Sequence, residues 1–259
     1  MHEPIGIFDS GVGGTSIWKE IVKKLPYEDT VYLADSANAP YGGKTEKEIL
    51  ALSIKNTELL LTKNCKIIVV ACNTATTNAI AQLRANYNIP FIGIEPAIKP
   101  AALQTKTKKV GVLATKGTLS SSLFHNTSKL FAQGITIIER EGKGLVELIE
   151  AGQTDSKAMQ NLLAEYIDPM LEQNIDSLVL GCTHYPYLIP VLKKMLPGDI
   201  KIIDSGEAVA RQTYAVLKKE GLLSDRKGTP THIFYSNSNT AVLENLVQSP
   251  NSEIFSMDF

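Results

Sequence analysis

Ile67-Ile68-Val69-Val70-Ala71-Cys72-Asn73-Thr74 and Ser177-Leu178-Val179-Leu180-Gly181-Cys182-Thr183-His184 share one design. Each is a short apolar run, then a small residue, a cysteine and small polar groups. Short apolar runs without polar alternation read as strands covered on both faces, as in parallel sheets. Outward from the first run, similar runs alternate with longer amphipathic stretches. Residues 5–8 form a strand pattern, followed by Asp9-Ser10-Gly11-Val12-Gly13-Gly14 and a helical pattern over 15–24. Residues 30–33 form the next strand and lead into Asp35-Ser36-Ala37-Asn38-Ala39-Pro40-Tyr41-Gly42. Residues 45–63 read as a helix, with Thr45 as N-cap, Glu48 at the third helical position, and Ile49, Leu52, Leu59 and Leu60 near one face. A helix over 74–86 and a short strand over 90–94 follow. This βα rhythm predicts a parallel sheet with helices on both sides.

The pattern then restarts. Lys109-Val110-Gly111-Val112-Leu113-Ala114-Thr115-Lys116-Gly117-Thr118 echoes Pro4-Ile5-Gly6-Ile7-Phe8-Asp9-Ser10-Gly11 at an offset of 105 residues, close to the 110 that separate the cysteines. Strands are expected over 135–139, 178–180 and 200–203, and helices over 156–173 and 207–219. The sequence thus predicts an α/β fold of two similar parallel-sheet domains related by internal duplication. The expected division is 1–96 plus 206–259 for the first domain and 97–205 for the second. Crossovers fall near 95–100 and 204–206, and 232–235 adds a strand to the first half. Ligands of open parallel sheets bind beyond the carboxyl ends of the strands, so both cysteine loops should meet in the cleft between the domains.

Composition sets bounds on function. The chain has 259 residues, 44% hydrophobic, with 26 basic and 27 acidic side chains and a net charge of -1. It can bury a real core, and it carries no basic footprint for nucleic acid. Its apolar stretches are too short to span a bilayer, so no membrane association is expected. Met1-His2-Glu3-Pro4 runs straight into a strand pattern without the basic and apolar regions of a signal peptide, so a cytoplasmic location is expected. The three cysteines, an odd number, fit free thiols in a reducing compartment. Cys65 has no polar loop after it and reads as structural.

The glycine loop after Asp9 reads two ways, as a carboxylate or phosphate cradle or as a tight capped strand-to-helix turn. It lacks the Gly-Lys-Ser/Thr ending of a nucleotide-binding P-loop. A cysteine at a helix N-terminus has its thiolate stabilised by the local dipole, and a free thiol titrates near ~8.5. Two such thiols can exchange the roles of base and acid. His184 lies two residues from Cys182 and can hold or relay its proton. Asp9 can do the same for Cys72, while Asn73, Thr74 and Thr183 can bond carboxylates. A duplicated reactive group suits a reaction that is its own mirror image, in which one face loses a proton and the other gains one. No Cys-x2-Cys or His-x3-His spacing is present, so no metal is expected. His2, His125 and His232 lack polar company in the sequence and read as structural or surface groups.

Taken together, Gly6 to Gly14, Pro40-Tyr41-Gly42, Ala71-Cys72-Asn73-Thr74-Ala75, Leu180-Gly181-Cys182-Thr183-His184-Tyr185-Pro186 and Asp204-Ser205 resemble the bacterial glutamate racemases of the aspartate/glutamate racemase family. The resemblance runs from about residue 5 to residue 215. It implies racemisation of glutamate without a cofactor, supply of D-glutamate for peptidoglycan, cell-wall biogenesis and cell shape, and a homodimer. It implies that Cys72 acts on D-glutamate and Cys182 on L-glutamate, with Asp9 and His184 assisting. It implies that Asp9, Ser10, Tyr41, Gly42, Asn73, Thr74, Thr183 and His184 bind substrate. Glu150 aligns with a further carboxylate near the second cysteine. The approach to it, Arg140-Glu141-Gly142-Lys143-Gly144, departs from the Cys-Pro-rich form of many members, and Glu147 stands where proline is frequent, so Glu147 competes for that role. Other readings remain open: a related racemase for aspartate, a non-catalytic carboxylate- or phosphate-binding module, or a thiol redox protein.

Overall fold

The computed structural model describes residues 3–225 and 228–259. His2 therefore lies outside the described residues. The first unit contains β1 (Ile5–Asp9), α1 (Thr15–Lys24), β2 (Thr30–Ala34), α2 (Glu46–Thr62), β3 (Ile67–Val70), α3 (Asn73–Asn86) and β4 (Phe91–Gly93). The chain then crosses through α4 (Ile98–Gln104) into β5 (Lys109–Ala114), α5 (Lys116–Leu119), α6 (Ser122–Phe131) and β6 (Thr136–Glu141). Next come α7 (Leu145–Glu150), α8 (Lys157–Leu171), β7 (Ser177–Gly181), α9 (Ile189–Met195) and β8 (Lys201–Ile203). Finally α10 (Gly206–Lys219), β9 (His232–Ser236), α11 (Ala241–Val247) and β10 (Ser252–Ser256) return to the first unit.

Two parallel sheets result. One has six strands in the order β10-β9-β2-β1-β3-β4, the other four in the order β6-β5-β7-β8. The inner order β2-β1-β3-β4 matches β6-β5-β7-β8 strand for strand, which is what duplication of one half leaves behind. In each, the chain reverses direction across the sheet between its first and third strands. This switch point opens a crevice at the carboxyl ends. β1, β2, β3 and β7 are buried along their whole length, which explains why they read as unbroken apolar runs. One apolar cluster runs through both units, from Ile5, Ile7 and Ile17 to Leu178, Leu180 and Leu188. Separate clusters fill the far side of each sheet, around Phe8 and Ile68 in the first and around Val112 and Phe124 in the second. The two crossovers are tied where Ser205 Oγ donates to the Glu95 carbonyl at 2.5 Å.

Three sequence expectations need correction. Helix α2 has the expected Thr45–Glu48 capping box, but its buried face is Ile49, Ser53, Asn56, Thr57 and Leu60. Leu52 and Leu59 are half-buried and pack against the same apolar cluster as Ile49 and Leu60, while Ser53, Asn56 and Thr57 put polar groups on the inner face that the apolar pattern does not announce. Strand β6 begins one residue later than the apolar run suggests and extends through Arg140 and Glu141. His232 does have polar company: its Nδ1 lies 3.0 Å from Thr30 Oγ1, which also accepts the Trp18 indole N–H. Strand β10 pairs with β9, adding an outer strand that no motif announces.

Candidate active site

The register of each sheet sets the site. Phe8 pairs with Val70 across β1 and β3, so the chain beyond carries Ser10 alongside Cys72. Ala114 pairs with Gly181 across β5 and β7, so Thr115 falls alongside Cys182. Both loops emerge at a switch point, and the two switch points face one another. They bound one small, narrow cavity. Its walls include Ser10, Tyr41, Gly42, Cys72, Asn73 and Thr74 from the first unit, and Thr115, Val146, Cys182, Thr183 and His184 from the second. A larger depression of about 1070 Å³ lies between α3 and α6, but it carries neither cysteine.

Cys72 is the N-cap of α3, and its sulfur accepts the Ala75 N–H at 3.4 Å. Its thiol donates to Ser10 Oγ at 3.7 Å. Burial pushes the Cys72 thiol well above the ordinary range, and the Asp9 carboxylate adds to the effect, against the opposing bonds from Ala75 and Ser10. Asp9 is fully buried at the end of β1, and burial raises its pKa to about 6, against the lowering effect of His184 and the Gly14 N–H. That N–H donates to Asp9 Oδ2 at 2.7 Å. Thr183 Oγ1 lies 3.4 Å from both Asp9 oxygens.

The second thiol has different company. Cys182 Sγ lies 3.7 Å from His184 Nδ1. His184 Nε2 contacts Glu150 Oε1 at 2.6 Å. Burial opposes a charge on His184, but its bonds to Cys182 and Glu150 outweigh it and raise its pKa well above the ordinary value. Burial pushes the Glu150 carboxyl up, and His184, the Val12 N–H and Ser36 together bring it below the usual range. The imidazole thus sits beside the Cys182 sulfur, with its Nδ1 also 4.0 Å from Asp9 Oδ2, while the Asp9 carboxyl acts on Cys72. The Gly13 N–H lies 3.2 Å from His184 Nε2, and a side chain at Gly13 would collide with the ring, its Cβ falling 2.2 Å from Nδ1.

The remaining predicted positions divide. Asn73 is buried with neither its Nδ2 nor its Oδ1 bonded, which leaves a full amide to offer a ligand. Thr74 Oγ1 meets Thr115 Oγ1 at 2.8 Å across the cleft. The Tyr41 hydroxyl turns away from the cavity, donating to Asp35 and accepting from Asn56 Nδ2 at 3.1 Å, so Tyr41 presents its ring and backbone. Glu150 joins the His184 cluster, whereas Glu147 is exposed. Cys65 packs apart from the site in the core beneath Gly6, and burial lifts its pKa to about 12. Thr115 was not singled out in the sequence, although the repeat offset of 105 maps Ser10 onto it. Among the described residues no group of three or more His, Cys, Asp or Glu side chains is arranged to hold a metal ion. No helix among them is long and apolar enough to cross a membrane.

The family model described as Asp/Glu/Hydantoin racemase matches residues 7–213. The chain belongs to this family. It is an amino-acid racemase, an isomerase. A relative from Herpetosiphon aurantiacus, named glutamate racemase, is 45% identical over 222 residues, covering 86% of this chain and 87% of the relative. The glutamate racemase isoform RacE1 of Bacillus anthracis superposes with a TM-score of 0.87 at 31% identity, covering 99% of this chain and 98% of that one. The Escherichia coli glutamate racemase, solved with L-glutamate and an activator, gives a TM-score of 0.87 at 34% identity, covering 98% and 97%. These structures share the two-sheet α/β architecture of this racemase.

Proposed function

We propose that this racemase interconverts L- and D-glutamate by two-thiol proton transfer, without a cofactor. The observation that carries the reading is the lining of one small cavity by both Cys72 and Cys182. In the proposed reaction Cys182 takes the Cα proton of L-glutamate while Cys72 delivers a proton to the opposite face, and the roles reverse for D-glutamate. Asp9 exchanges protons on the Cys72 side. His184, held by Glu150, does so on the Cys182 side. The Cα–H of an amino acid is a weak acid, so the negative charge that develops must be met by fixed donors. Ser10, the Asn73 amide, Thr74, Thr115 and Thr183 supply them around the cavity, and the backbone at Tyr41 and Gly42 closes one wall.

The geometry also supports the division into 1–96 plus 206–259 and 97–205, with the site between the two units. The name glutamate racemase carried by the relatives supports formation of D-glutamate. Use of that D-glutamate for peptidoglycan, a cytoplasmic location and a homodimer are proposed as what the family resemblance implies. The deciding experiment is a polarimetric assay of purified protein with D-glutamate and with L-glutamate, no cofactor added, in water and in D2O. Inversion with deuterium entering Cα is the expected result. Inversion of aspartate alone, or tight binding of glutamate without exchange, would overturn the reading.

A further inference from the structure

The Glu150 carboxylate does more than meet His184. It projects from the last residue of α7, in the second unit, and crosses the cleft to the first. There its Oε1 accepts the Val12 N–H at 2.7 Å, and its Oε2 accepts the Ser36 hydroxyl at 2.9 Å. The fit to the loop below is tight. A Cβ on Gly11 would fall 1.9 Å from Glu150 Oε1, so only glycine leaves room for the carboxylate. The socket is stiff on its own side. The Ala37 N–H donates to Asn237 Oδ1 at 2.9 Å, and Asn237 Nδ2 donates to Asp35 Oδ1 at 2.5 Å, which pins the turn bearing Ser36 to the end of β9.

The cavity behind this contact is nearly closed. Cys72 and Cys182 are only 4% and 7% exposed, so a ligand reaches them by parting the two units. Parting would break the Val12 and Ser36 bonds to Glu150. The His184 bond would survive, since both partners belong to the second unit.

We propose that Gly11, the Val12 amide and the Ser36 hydroxyl form a cross-cleft catch for the Glu150 carboxylate, and that Ser36 is a positioning residue whose bond holds the units closed around the two thiols and keeps Glu150 in register with His184. As regards catalysis, the inference rests on the glutamate racemase reading. The closing of the cleft does not depend on it. A charge-assisted bond lost at a partly exposed cleft mouth reduces the closed-to-open ratio by about tenfold, so the minor open population rises by about the same factor. The rate at which a reagent reaches the thiols rises with the open population.

The test compares the native protein with Ser36→Ala and Ser36→Thr. Thiol labelling by a maleimide, resolved by peptide mass spectrometry, reads opening directly. Cys65, 6% exposed and packed in the core, is the internal control. Ser36→Ala is expected to label at Cys72 and Cys182 about tenfold faster, with Cys65 unchanged, and Ser36→Thr to return both to native rates. In racemisation, kcat/KM should fall in Ser36→Ala, where Glu150 loses one of the bonds that keep it in register with His184, and return in Ser36→Thr. Gly11→Ala, which fills the socket, should give the same selective labelling more strongly. Unchanged rates at both thiols in Ser36→Ala, or equal acceleration at all three cysteines, would overturn the catch. If the native protein fails to racemise glutamate, the functional reading falls, and the labelling pattern alone decides the catch.

Discussion

The loop after β3 and the loop after β7 occupy equivalent places in two sheets whose inner strand order matches, yet their thiols have different neighbours. Cys72 faces Asp9, which comes from the end of the neighbouring strand β1. Cys182 faces His184, two residues along its own loop. The duplication preserved the position of the sulfur and not the source of its partner. In the second half the position equivalent to Asp9 is Ala114, and in the first the position equivalent to His184 is Thr74. A reaction between mirror images has an equilibrium constant of unity by symmetry. The enzyme's two halves are under no such constraint, because only the ratio of kcat/KM values for the two directions is fixed.

The largest expected effects test whether both halves are needed. Cys72→Ala and Cys182→Ala should each lower racemisation by about 10³-fold or more, the scale of losing a positioned acid or base. Cys65→Ala should retain it. Full activity in either of the first two variants would leave one half idle and end the comparison.

Removing the partners should expose the asymmetry. Asp9→Asn and His184→Asn should each lower kcat/KM by about 10²-fold, equally in both directions because the equilibrium constant requires it. The halves separate in isotope effects. In Asp9→Asn, proton transfer at Cys72 becomes limiting. The effect with Cα-deuterated D-glutamate should therefore grow, while that with Cα-deuterated L-glutamate shrinks. His184→Asn should reverse the pattern. The same change in both variants would mean that each partner serves both thiols.

How much of this was legible beforehand depends on the kind of signal. Strands β1, β3, β5 and β7 are buried on both faces, and they stand out as apolar runs in the sequence. The cysteines, Asp9 and His184 follow such runs directly, so their placement could be read from position. Thr115 was missed because a threonine at a strand end is common, and only the repeat marks it. The turn of Tyr41 toward Asp35 and Asn56 was hidden as well. It depends on the polar inner face of α2, where Ser53, Asn56 and Thr57 are buried against expectation. The choice between Glu150 and Glu147 needed three dimensions, since three residues along α7 decide which one crosses the cleft.

The asymmetry also carries a cost in stability. Asp9 is buried beside Cys72 with its pKa raised from 3.8 to about 6. A carboxyl whose folded pKa is raised binds its proton more tightly when folded, so ionisation destabilises the fold as pH climbs from about 4 to about 6, and the cost is constant above that. Asp9→Asn should therefore be more stable than the native protein at pH 7, by about 1–3 kcal/mol, with the gap vanishing below pH ~4. Urea denaturation at pH 7 and at pH 4 would measure it. A gap that persists at the lower pH would place the gain elsewhere than in the carboxylate charge.

The smallest effect concerns how the second half holds its cation. Glu150 contacts His184 Nε2 at 2.6 Å, and Glu147 lies exposed on the same short helix. Glu150→Gln keeps an oxygen for the Val12 N–H but removes the negative charge that helps His184 retain its proton. Losing that support lowers the pH at which His184 deprotonates. The alkaline limb of the kcat/KM profile should then move to lower pH, with activity at neutral pH down by about tenfold. Histidine-labelled NMR would follow the same titration directly. Glu147→Gln should leave both the limb and the rate where they are, because a solvent-exposed carboxylate acts on His184 only through water. If the two glutamines behaved alike, the pairing of a cation with the Cys182 half, and with it the contrast to the carboxyl group beside Cys72, would not be what sets the chemistry of the two faces.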